Sequence, residues 1–429
     1  MPRFSTLVAA SMVGATLMSP LRASAQDRIQ LGISYRAGVQ PGMLVVAGPG
    51  LDSVRKIVER DLQFSDRFEM AILADTVGPL AGNLNLGLYA NLGLTWAIEL
   101  TAVTGGVQAR LHHLPSGETR HTVTRGLETT GAAAGRMRIH QLSDELLVAA
   151  VGGKGIAATR IAFVLGDAIW SVDSDGANLT RVSRGAGLAL SPTWSPDARK
   201  LAYNEMRDHS GVIVLHTMAS GARQVVPRPT GGGQAMTPAF SPDGSTMTFA
   251  ISGERGTDLF AVDIARMCCV RPLTASGKLA DNMNPTYSPD GRRVAFMSTR
   301  PGRGQIYVMD ADGANQRALV NFDGDGAAYA PEWSPDGDKV AFHRDIAGGR
   351  HVLVYDFGTG RATAVTSAGR NEDPSWAPDS RHLVFRSSRG GTNQLWVLDT
   401  ESGSLRQLTN VNGDARLPAW SSAIQGTNP

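Results

Sequence analysis

Apolar and polar residues alternate in short stretches over most of the chain, a pattern that predicts β-strands. Short apolar strands at 294–296 and 340–342 precede alternating stretches that end in aspartate, such as 306–310. Apolar residues at helical spacing mark 51–64 and 137–151 instead. The pattern therefore predicts a strand-rich protein with two helices in its first third.

One phrase, Pro-x-aromatic-Ser-Pro-Asp-Gly, recurs with small changes through the rest of the chain. The first proline of each copy follows the previous one by 43 to 47 residues, a period typical of propeller and solenoid arrays. Proline, aspartate and glycine suit successive positions of a type I turn, so Ser-Pro-Asp-Gly predicts a hairpin corner. The aromatic residue is predicted to fill the wedge between neighbouring blades. The repeat prolines are Pro192, Pro238, Pro285, Pro331, Pro374 and Pro418.

The two ends of the repeat array are incomplete in complementary ways. Residues 160–164 and 169–173 match the second and third strands of a unit, but no Pro-x-Trp strand precedes them. Pro418 and Trp420 supply such a strand and have no further strands after them. Since closure removes free sheet edges, we expect six blades in a ring, with the carboxy-terminal strand 417–422 completing the first blade.

The residues before the repeat array predict a separate domain. Residues 28–33 and 43–50 contain predicted strands, and 96–103 with 107–114 predict a strand pair. With the two helices, this indicates a small α/β amino-terminal domain followed by an all-β six-bladed β-propeller. The predicted boundaries are a signal peptide at 1–25, the α/β domain at 26–151, a linker at 152–159 and the propeller at 160–429.

The first 25 residues are typical of a cleavable export signal. A basic start at Arg3 precedes the apolar run 4–18 and a small-residue Ala-Ser-Ala pattern, which predicts cleavage between Ala25 and Gln26. A buried first helix is the alternative. No other stretch reaches the roughly 20 apolar residues that cross a bilayer, so the mature chain is expected to lack a membrane span and to lie outside the cytoplasm.

The net charge limits the expected classes of binding partner, and the cysteine content limits the expected disulfide chemistry. The formal net charge is +2, and without Arg3 and Arg22 of the signal the basic and acidic residues are equal in number. This balance gives no indication of nucleic acid or an anionic membrane as the main partner. The two cysteines, Cys268 and Cys269, are adjacent. Neighbouring cysteines close only a strained ring, so we expect two unpaired thiols, with a vicinal disulfide as the alternative.

The order of these parts resembles the TolB family, periplasmic components of the Tol-Pal envelope system. The stretch GKGIAATRIAFV at 153–164 is similar to the family's entry into its propeller, IVERDLQFSDRFEM at 57–70 resembles its first helix, and PAWS at 418–421 its closing strand. The resemblance implies a non-enzymatic scaffold in the periplasm whose propeller binds the peptidoglycan-associated lipoprotein. TolA is a further implied partner, although residues 27–42, where its binding segment should lie, depart from the family pattern. A monomer is expected.

The loops before the repeat prolines are predicted to carry recognition, because they vary between units on a fixed scaffold. They emerge at one end of the channel, and their amide, acid and aromatic side chains suit a polar protein interface. Exposed charges such as Glu372 and Asp414 are expected to contribute little to folding. The candidate partner-binding residues are Gln234, Met236, Thr237, Asp281, Asn282, Asn284, Tyr329, Asn371, Glu372, Asp414 and Arg416.

Carboxylates in the same loops raise two further hypotheses. They could hold a cation such as calcium, or they could be solvated hairpin ends; no other cofactor is expected. An exported metal-dependent lactonase or lyase is the alternative function, with Glu332 as the inward-facing candidate. An EF-hand-like spacing is predicted not to form a site, because no helices flank it and Pro331 falls inside it. That spacing comprises Asn321, Asp323, Asp325, Gly326 and Glu332.

Overall fold

The computed structural model describes most of the chain from residue 40 onward. The predicted signal peptide with its cleavage site at Ala25 and Gln26, and also Asn321, Asp323 and Asp325, lie outside the described residues. The described residues are 33–34, 40–73, 84–127, 132–185, 187–207, 210–229, 233–254, 256–275, 280–320, 326–346 and 349–425. They form a small α/β domain followed by a six-bladed β-propeller, which confirms the predicted fold class.

A mixed six-stranded sheet with three helices forms the amino-terminal domain. Its elements are β1 Ile33–Ser34, β2 Gly42–Ala47, α1 Asp52–Phe64, β3 Glu69–Leu73, α2 Leu86–Asn91, β4 Trp96–Val103, β5 Gly106–His113, β6 Glu118–Gly126 and α3 Ala132–Val151. The strand order is β1-β3-β2-β4-β5-β6. β2 runs parallel to β3 and β4, whereas β4, β5 and β6 form an antiparallel meander.

The core of this domain lies between the sheet and the two longer helices. Val58 and Leu62 of α1 and Leu142 and Leu146 of α3 are fully buried in one cluster with the apolar side chains of β2, β4 and β5. Each such side chain contributes about 1.5–3 kcal/mol through burial, which accounts for the helical spacing seen in the sequence. No helix in the described part of the chain is long and apolar enough to cross a bilayer.

Six blades of four strands each, antiparallel within a blade, form the propeller. Their strands are β7 Arg160–Leu165, β8 Ala168–Asp173, β9 Thr180–Arg181, β10 Ala189–Trp194, β11 Lys200–Arg207, β12 Ser210–Thr217, β13 Arg223–Val225, β14 Ala235–Phe240, β15 Thr246–Gly253, β16 Gly256–Asp263, β17 Cys268–Pro272, β18 Ala280–Tyr287, β19 Arg293–Ser298, β20 Gln305–Asp310, β21 Arg317–Ala318, β22 Ala328–Trp333, β23 Lys339–Ile346, β24 Gly349–Asp356, β25 Arg361–Ala364, β26 Asn371–Trp376, β27 His382–Gly390, β28 Thr392–Asp399, β29 Leu405–Gln407 and β30 Ala415–Trp420. The first blade has the order β30-β7-β8-β9, and the second to sixth blades follow chain order from β10. A short parallel pair between β16 and β18 joins the third and fourth blades into one eight-stranded sheet.

The last strand closes the ring, as the incomplete repeats predict. β30 pairs antiparallel with β7, with Trp420 opposite Ile161, and begins at Ala415, two residues before the predicted start. The Trp420 indole donates to Thr159 Oγ1 at 2.7 Å, and its backbone N–H donates to Ser375 Oγ of the sixth blade at 3.0 Å. The first blade therefore depends on residues from both ends of the propeller sequence.

The aromatic residue of each repeat packs against the preceding blade, as the wedge argument predicts. Trp376 of the sixth blade lies in a cluster with Ala341 and Val352 of the fifth, and its indole donates to Glu332 O at 3.2 Å. Trp194 of the second blade donates in the same way to Ala419 O of the first blade at 3.1 Å. These rings fill the space between blades and connect their inner strands.

The prediction of two unpaired thiols is wrong, because Cys268 and Cys269 form a vicinal disulfide. The prediction assumed a regular strand, in which successive side chains point to opposite faces. Cys269 instead has a φ of 64°, and Met267 before the pair has a φ of 52°. The chain therefore enters β17 with left-handed residues, and the two side chains are not separated as in an extended strand.

Candidate partner-binding face

The two ends of the propeller differ in what covers them. Each inner strand starts at the loop before its repeat proline and runs toward the following turn, so these loops and turns lie at opposite ends. The α/β domain contacts the turn end, through Arg381 and His382 of the sixth blade and Asp175 of the first. We call this the docked end, and the end with the loops before the repeat prolines the open end.

The first interdomain contact is centred on Asp175, in the turn between β8 and β9. Its carboxylate accepts hydrogen bonds from Arg136 of α3 and from Arg60 of α1, the latter at 3.3 Å. His140 of α3 is fully buried, with its Nδ1 2.8 Å from Asp61 Oδ2. Burial opposes the charged imidazole, but the hydrogen bond and charge of Asp61 outweigh it and raise the pKa of His140.

The second interdomain contact is centred on His382, at the start of β27. Its Nε2 lies 3.2 Å from Asp66 Oδ2, just beyond α1, and its Nδ1 lies 2.7 Å from Asp379 Oδ2. Burial opposes the charged ring, but the hydrogen bonds to Asp379 and Asp66 outweigh it and raise the pKa of His382. Arg381 Nη2 donates to Asp66 O at 2.9 Å. Charged groups therefore link the two domains at two separate places.

The six inner strands share a bulge at the repeat proline, in the middle of each strand. In the third blade Met236 lies opposite Ala250, and Ala239 lies opposite Thr248. An advance of three residues along β14 therefore matches an advance of two residues along β15. Proline has no N–H to lose from the ladder at this point. The residue before each proline has a φ of 47° to 53° and lines a central cavity of about 300 Å³. These residues are Ser191, Thr237, Asn284, Ala330, Asp373 and Leu417.

Two carboxylates line this channel. Glu332 Oε1 accepts from Ser375 Oγ at 2.9 Å and from Trp376 N at 3.1 Å, and burial raises the pKa of Glu332 to about 7. Burial likewise raises the pKa of Asp373 to about 6. The Asp373 N–H donates to His343 Nδ1 at 3.0 Å, and burial lowers the pKa of His343 to about 4. The imidazole is therefore neutral at neutral pH, and Glu332 is only partly ionised.

Asn282 and Asn371 are not accessible to a partner, contrary to the expectation that they are exposed loop residues. Both are fully buried, because they occupy the third position before the repeat proline. Asn371 Oδ1 accepts from Ser387 Oγ at 2.8 Å and from Arg389 Nη2 at 2.9 Å, and Asn282 Oδ1 accepts from Arg300. The other four blades place a small buried residue there: Ala189, Ala235, Ala328 and Ala415.

The expectation that Glu372 is an exposed charge is also wrong. Its side chain is buried and accepts hydrogen bonds from Arg350 Nη1 at 2.7 Å, Arg370 Nε at 3.0 Å and Arg386 Nη1 at 2.6 Å. Burial opposes its ionisation, but the three arginines outweigh it and lower the pKa of Glu372. Since loss of one partner leaves buried charge uncompensated, Glu372 belongs to the framework of the open end.

Of the remaining eight candidates, Thr237 and Asn284 line the central cavity, and the other six lie on the open-end side of the repeat proline. Thr257 Oγ1 donates to Asp281 at 2.7 Å, and Arg416 Nη2 donates to Gly166 O at 3.2 Å, so both candidates also brace the loops. Gln234 and Asp414 are exposed, and the others, Met236, Thr237, Asp281, Asn284, Tyr329 and Arg416, are partly exposed. These residues form the accessible part of the candidate face.

Glu372 is not available as a ligand for the cation expected at the open end, because its carboxylate is already bonded to three arginines. Of the EF-hand-like spacing, Gly326 and Glu332 are described, and Glu332 lies inside strand β22. An EF-hand would place a helix at that point. A calcium site at the open end stays a prediction.

Sequence reasoning missed the arginines around Glu372 and the charged residues between the domains. Neither set repeats from blade to blade, so no motif marks it. One signal was present: Glu372 stands where the other blades have Leu190, Met236, Met283, Tyr329 and Arg416. A carboxylate at a half-buried strand position requires a partner, so basic residues were to be expected nearby.

The family model described as the TolB β-propeller domain matches residues 149–424. Tol-Pal system protein TolB of Bordetella pertussis is 33% identical over 180 residues, which cover 41% of this chain and 40% of the relative; the B. bronchiseptica protein gives the same values. The alignment thus spans less than half of these relatives. The crystal structure of TolB from Acinetobacter baumannii covers 91% of this chain and 98% of its own, with a TM-score of 0.76 and 24% identity, which shows the same fold. The chain belongs to the TolB β-propeller family.

Proposed function

We propose that the chain is a non-enzymatic periplasmic scaffold of the Tol-Pal system, which captures the peptidoglycan-associated lipoprotein at the open end of its propeller. The match of the TolB propeller model to residues 149–424 carries this proposal. The names of the curated relatives supply the Tol-Pal assignment. In this role the protein supports outer-membrane integrity and envelope constriction during cell division. TolA is a further proposed partner, through the amino-terminal part of the chain.

The choice of the open end follows from what covers each end. At the docked end, the α/β domain occupies the surface of the first and sixth blades around Asp175, Arg381 and His382. The open end offers exposed side chains such as Gln234 and Asp414 on loops that differ between blades. Its inner strands are held by a shared bulge and by buried amides such as Asn371, so the exposed side chains are presented on a rigid base, which lowers the entropic cost of binding.

A metal-dependent lactonase or lyase is less well supported. Such an enzyme needs several ligands converging on the channel. Two groups in the described part of the chain are spaced to hold a metal ion, and both lie between the domains. Arg60 and Arg136 bind Asp175 of the first group, and Arg381 binds Asp399 of the second. These guanidiniums already supply the positive charge that a metal ion would otherwise provide to the two groups. The groups are Asp61, His140 and Asp175, and Asp66, His382 and Asp399.

Calcium in the channel is proposed only as a secondary feature. Glu332 and Asp373 are the channel carboxylates whose pKa values burial raises to about 7 and about 6. A bound cation would favour their ionised forms and lower both pKa values. Calorimetric titration with calcium should therefore release protons near pH 6. Equal calcium affinities of the wild type and Glu332→Gln would show that Glu332 is not a calcium ligand.

Capture of the lipoprotein from envelope extracts in mild detergent tests the proposal. We expect the wild type to co-purify with the lipoprotein, and Gln234→Lys with Asp414→Lys to reduce capture. Asp338→Lys is the matched control, because Asp338 is an exposed carboxylate at the docked end. If the wild type does not retain the lipoprotein under any salt condition, the proposed function is wrong. If Asp338→Lys alone abolishes capture, the wrong end has been assigned.

A further inference from the structure

A cluster of arginines lies at the open end, where the fifth and sixth blades meet. Arg350, Arg370 and Arg386 all donate to the carboxylate of Glu372. Arg389, at the end of β27, donates to Asn371 Oδ1 at 2.9 Å. We call these four residues the arginine cluster.

The cluster carries more positive charge than its own carboxylates neutralise. The four guanidiniums stand beside three carboxylates. Glu372 binds Arg350, Arg370 and Arg386, Asp345 binds Arg350 at 2.6 Å, and Asp373 interacts electrostatically with Arg350 and Arg386. The neighbouring His343 is neutral at neutral pH, because burial lowers its pKa to about 4. The side chain of Arg370 is 60% exposed. An excess of cationic N–H donors is therefore available at the surface.

The buried carboxylate holds these guanidiniums in fixed orientations. Each guanidinium has five N–H groups in a planar fork. Arg370 and Arg386 each donate one of these to Glu372. Arg386 Nε is buried without a hydrogen-bond partner among the described residues. Donors that are already oriented lose little side-chain entropy when an anion binds.

The contact of Glu372 with three arginines is specific to this blade junction and is not needed to close a blade, whereas the Arg389–Asn371 contact recurs in the fourth blade as Arg300–Asn282. Glu372 and Arg386 are cross-strand partners. At the same position the third blade pairs Met236 with Ala250, and the fourth pairs Met283 with Met297. Those two cross-strand pairs are apolar. The charged set is therefore an addition to a common scaffold, which is where recognition usually resides.

A groove runs beside the cluster and can admit a polypeptide. It has a volume of about 610 Å³ and lies between the β23–β24 hairpin and the loop before β26. Gly369 has a φ of 74° and packs closely against the backbone of Arg389, so the groove wall is held next to the arginine cluster. It is lined by Asp345, Ile346, Gly349, Arg350, Gly369 and Arg370.

We propose that the arginine cluster and this groove bind a carboxylate-bearing, extended segment of the protein partner. The planar fork of arginine matches a carboxylate bidentately, and Arg350 and Arg370 themselves line the groove between the two loops. The proposal rests on the proposed function for the identity of the partner. The binding chemistry can be tested without that partner.

A fluorescein-labelled hexaglutamate peptide tests the chemistry by fluorescence anisotropy with the full chain. We expect Arg370→Glu to weaken binding by about tenfold or more, because it removes a charge-assisted donor and adds repulsion. Asp345→Asn should strengthen binding by about two- to threefold, because it frees Arg350. Arg266→Glu and Asp338→Asn, which alter exposed side chains at the docked end, should leave the affinity unchanged.

Equal peptide affinity in the wild type, Arg370→Glu and Asp345→Asn would overturn the inference. Binding to anionic phospholipid vesicles without binding to the peptide would also overturn it. If the peptide binds as expected but the wild type does not capture the lipoprotein, the inference stands and the proposed function fails. If the lipoprotein is captured equally by the wild type and Arg370→Glu, the inference fails and the proposed function stands.

Discussion

The docked and open ends of the propeller are built from the same repeat but use it differently. At the docked end each Ser-Pro-Asp turn closes itself: Ser241 Oγ donates to Asp243 at 2.5 Å, and the same carboxylate accepts the Ser245 N–H at 3.0 Å. Toward the open end, closure needs only a mid-strand bulge and a residue that fits a buried position before the proline. Where the turn needs particular side chains for its own hydrogen bonds, the repeat is uniform. Where the bulge places no such demand, the side chains vary and can make other contacts.

The docked end departs from the repeat where the α/β domain touches it. The sixth blade carries His382 where other blades have Lys200, Thr246, Arg293 and Lys339. Its imidazole lies between Asp379 of its own turn and Asp66 of the other domain. Blade-specific charge thus occurs at both ends: it forms an interdomain contact at one, and at the other it forms the arginine cluster proposed to bind the partner.

Removal of the closing strand should have the largest effect and should damage both ends together. A chain ending before Ala415 would leave β7 without its neighbour and would remove Trp420 from the sixth-blade junction. We expect the melting temperature to fall by more than about 10 °C, measured by circular dichroism. A chain ending at Gln425 is the control. An unchanged melting temperature after the longer truncation is incompatible with ring closure by β30.

The docked end should respond strongly to loss of one buried charge. Asp175→Asn leaves Arg60 and Arg136 without their carboxylate, and breaking a buried pair costs about 3 kcal/mol or more. Urea denaturation should show this loss of unfolding free energy, whereas Asp338→Asn should change it by less than about 0.5 kcal/mol. Binding at the open end should be unaffected. Equal stability of the two variants contradicts an ionic interdomain contact.

The two ends should also differ in their response to pH. The pKa values of His140 and His382 are raised above 6.5. A raised histidine pKa stabilises the folded protein fully below pH 6.5, and this contribution is lost as the pH rises through the raised pKa. The melting temperature of the wild type should therefore exceed that of a His140→Gln, His382→Gln variant most at about pH 6 and least at about pH 9. A pH-independent difference would refute this.

The channel should show the smallest effect. Burial raises the pKa of Glu332 from 4.5 to about 7, so its ionised form is disfavoured in the folded protein. The wild type should therefore lose stability relative to Glu332→Gln as the pH rises from 4.5 to about 7. At pH 5 the two proteins should differ by less than about 1 kcal/mol in unfolding free energy. A large loss in the variant at that pH would mean that Glu332 is ionised there.

The repeat explains how much the sequence could predict. The prolines, the aromatic wedge and the incomplete end units specify the blades and their closure, because each reflects backbone geometry that recurs six times. β6 was missed because Val123 is its one buried residue and its other positions are polar, as in an exposed edge strand. The burial of Asn371 could have been read from the alanines at the same repeat position. The partners of Glu372 could not, because they come from three separate strands and loops.

Site-specific photocrosslinking in living cells tests the central claim most directly. A photoreactive amino acid placed at Gln234 or Asp414 probes the open end, and one at Asp338 or Arg266 probes exposed positions of the docked end. The account predicts that the peptidoglycan-associated lipoprotein crosslinks from the open-end positions and not from the docked-end positions. Crosslinks from Asp338 or Arg266, with none from Gln234 or Asp414, would contradict it.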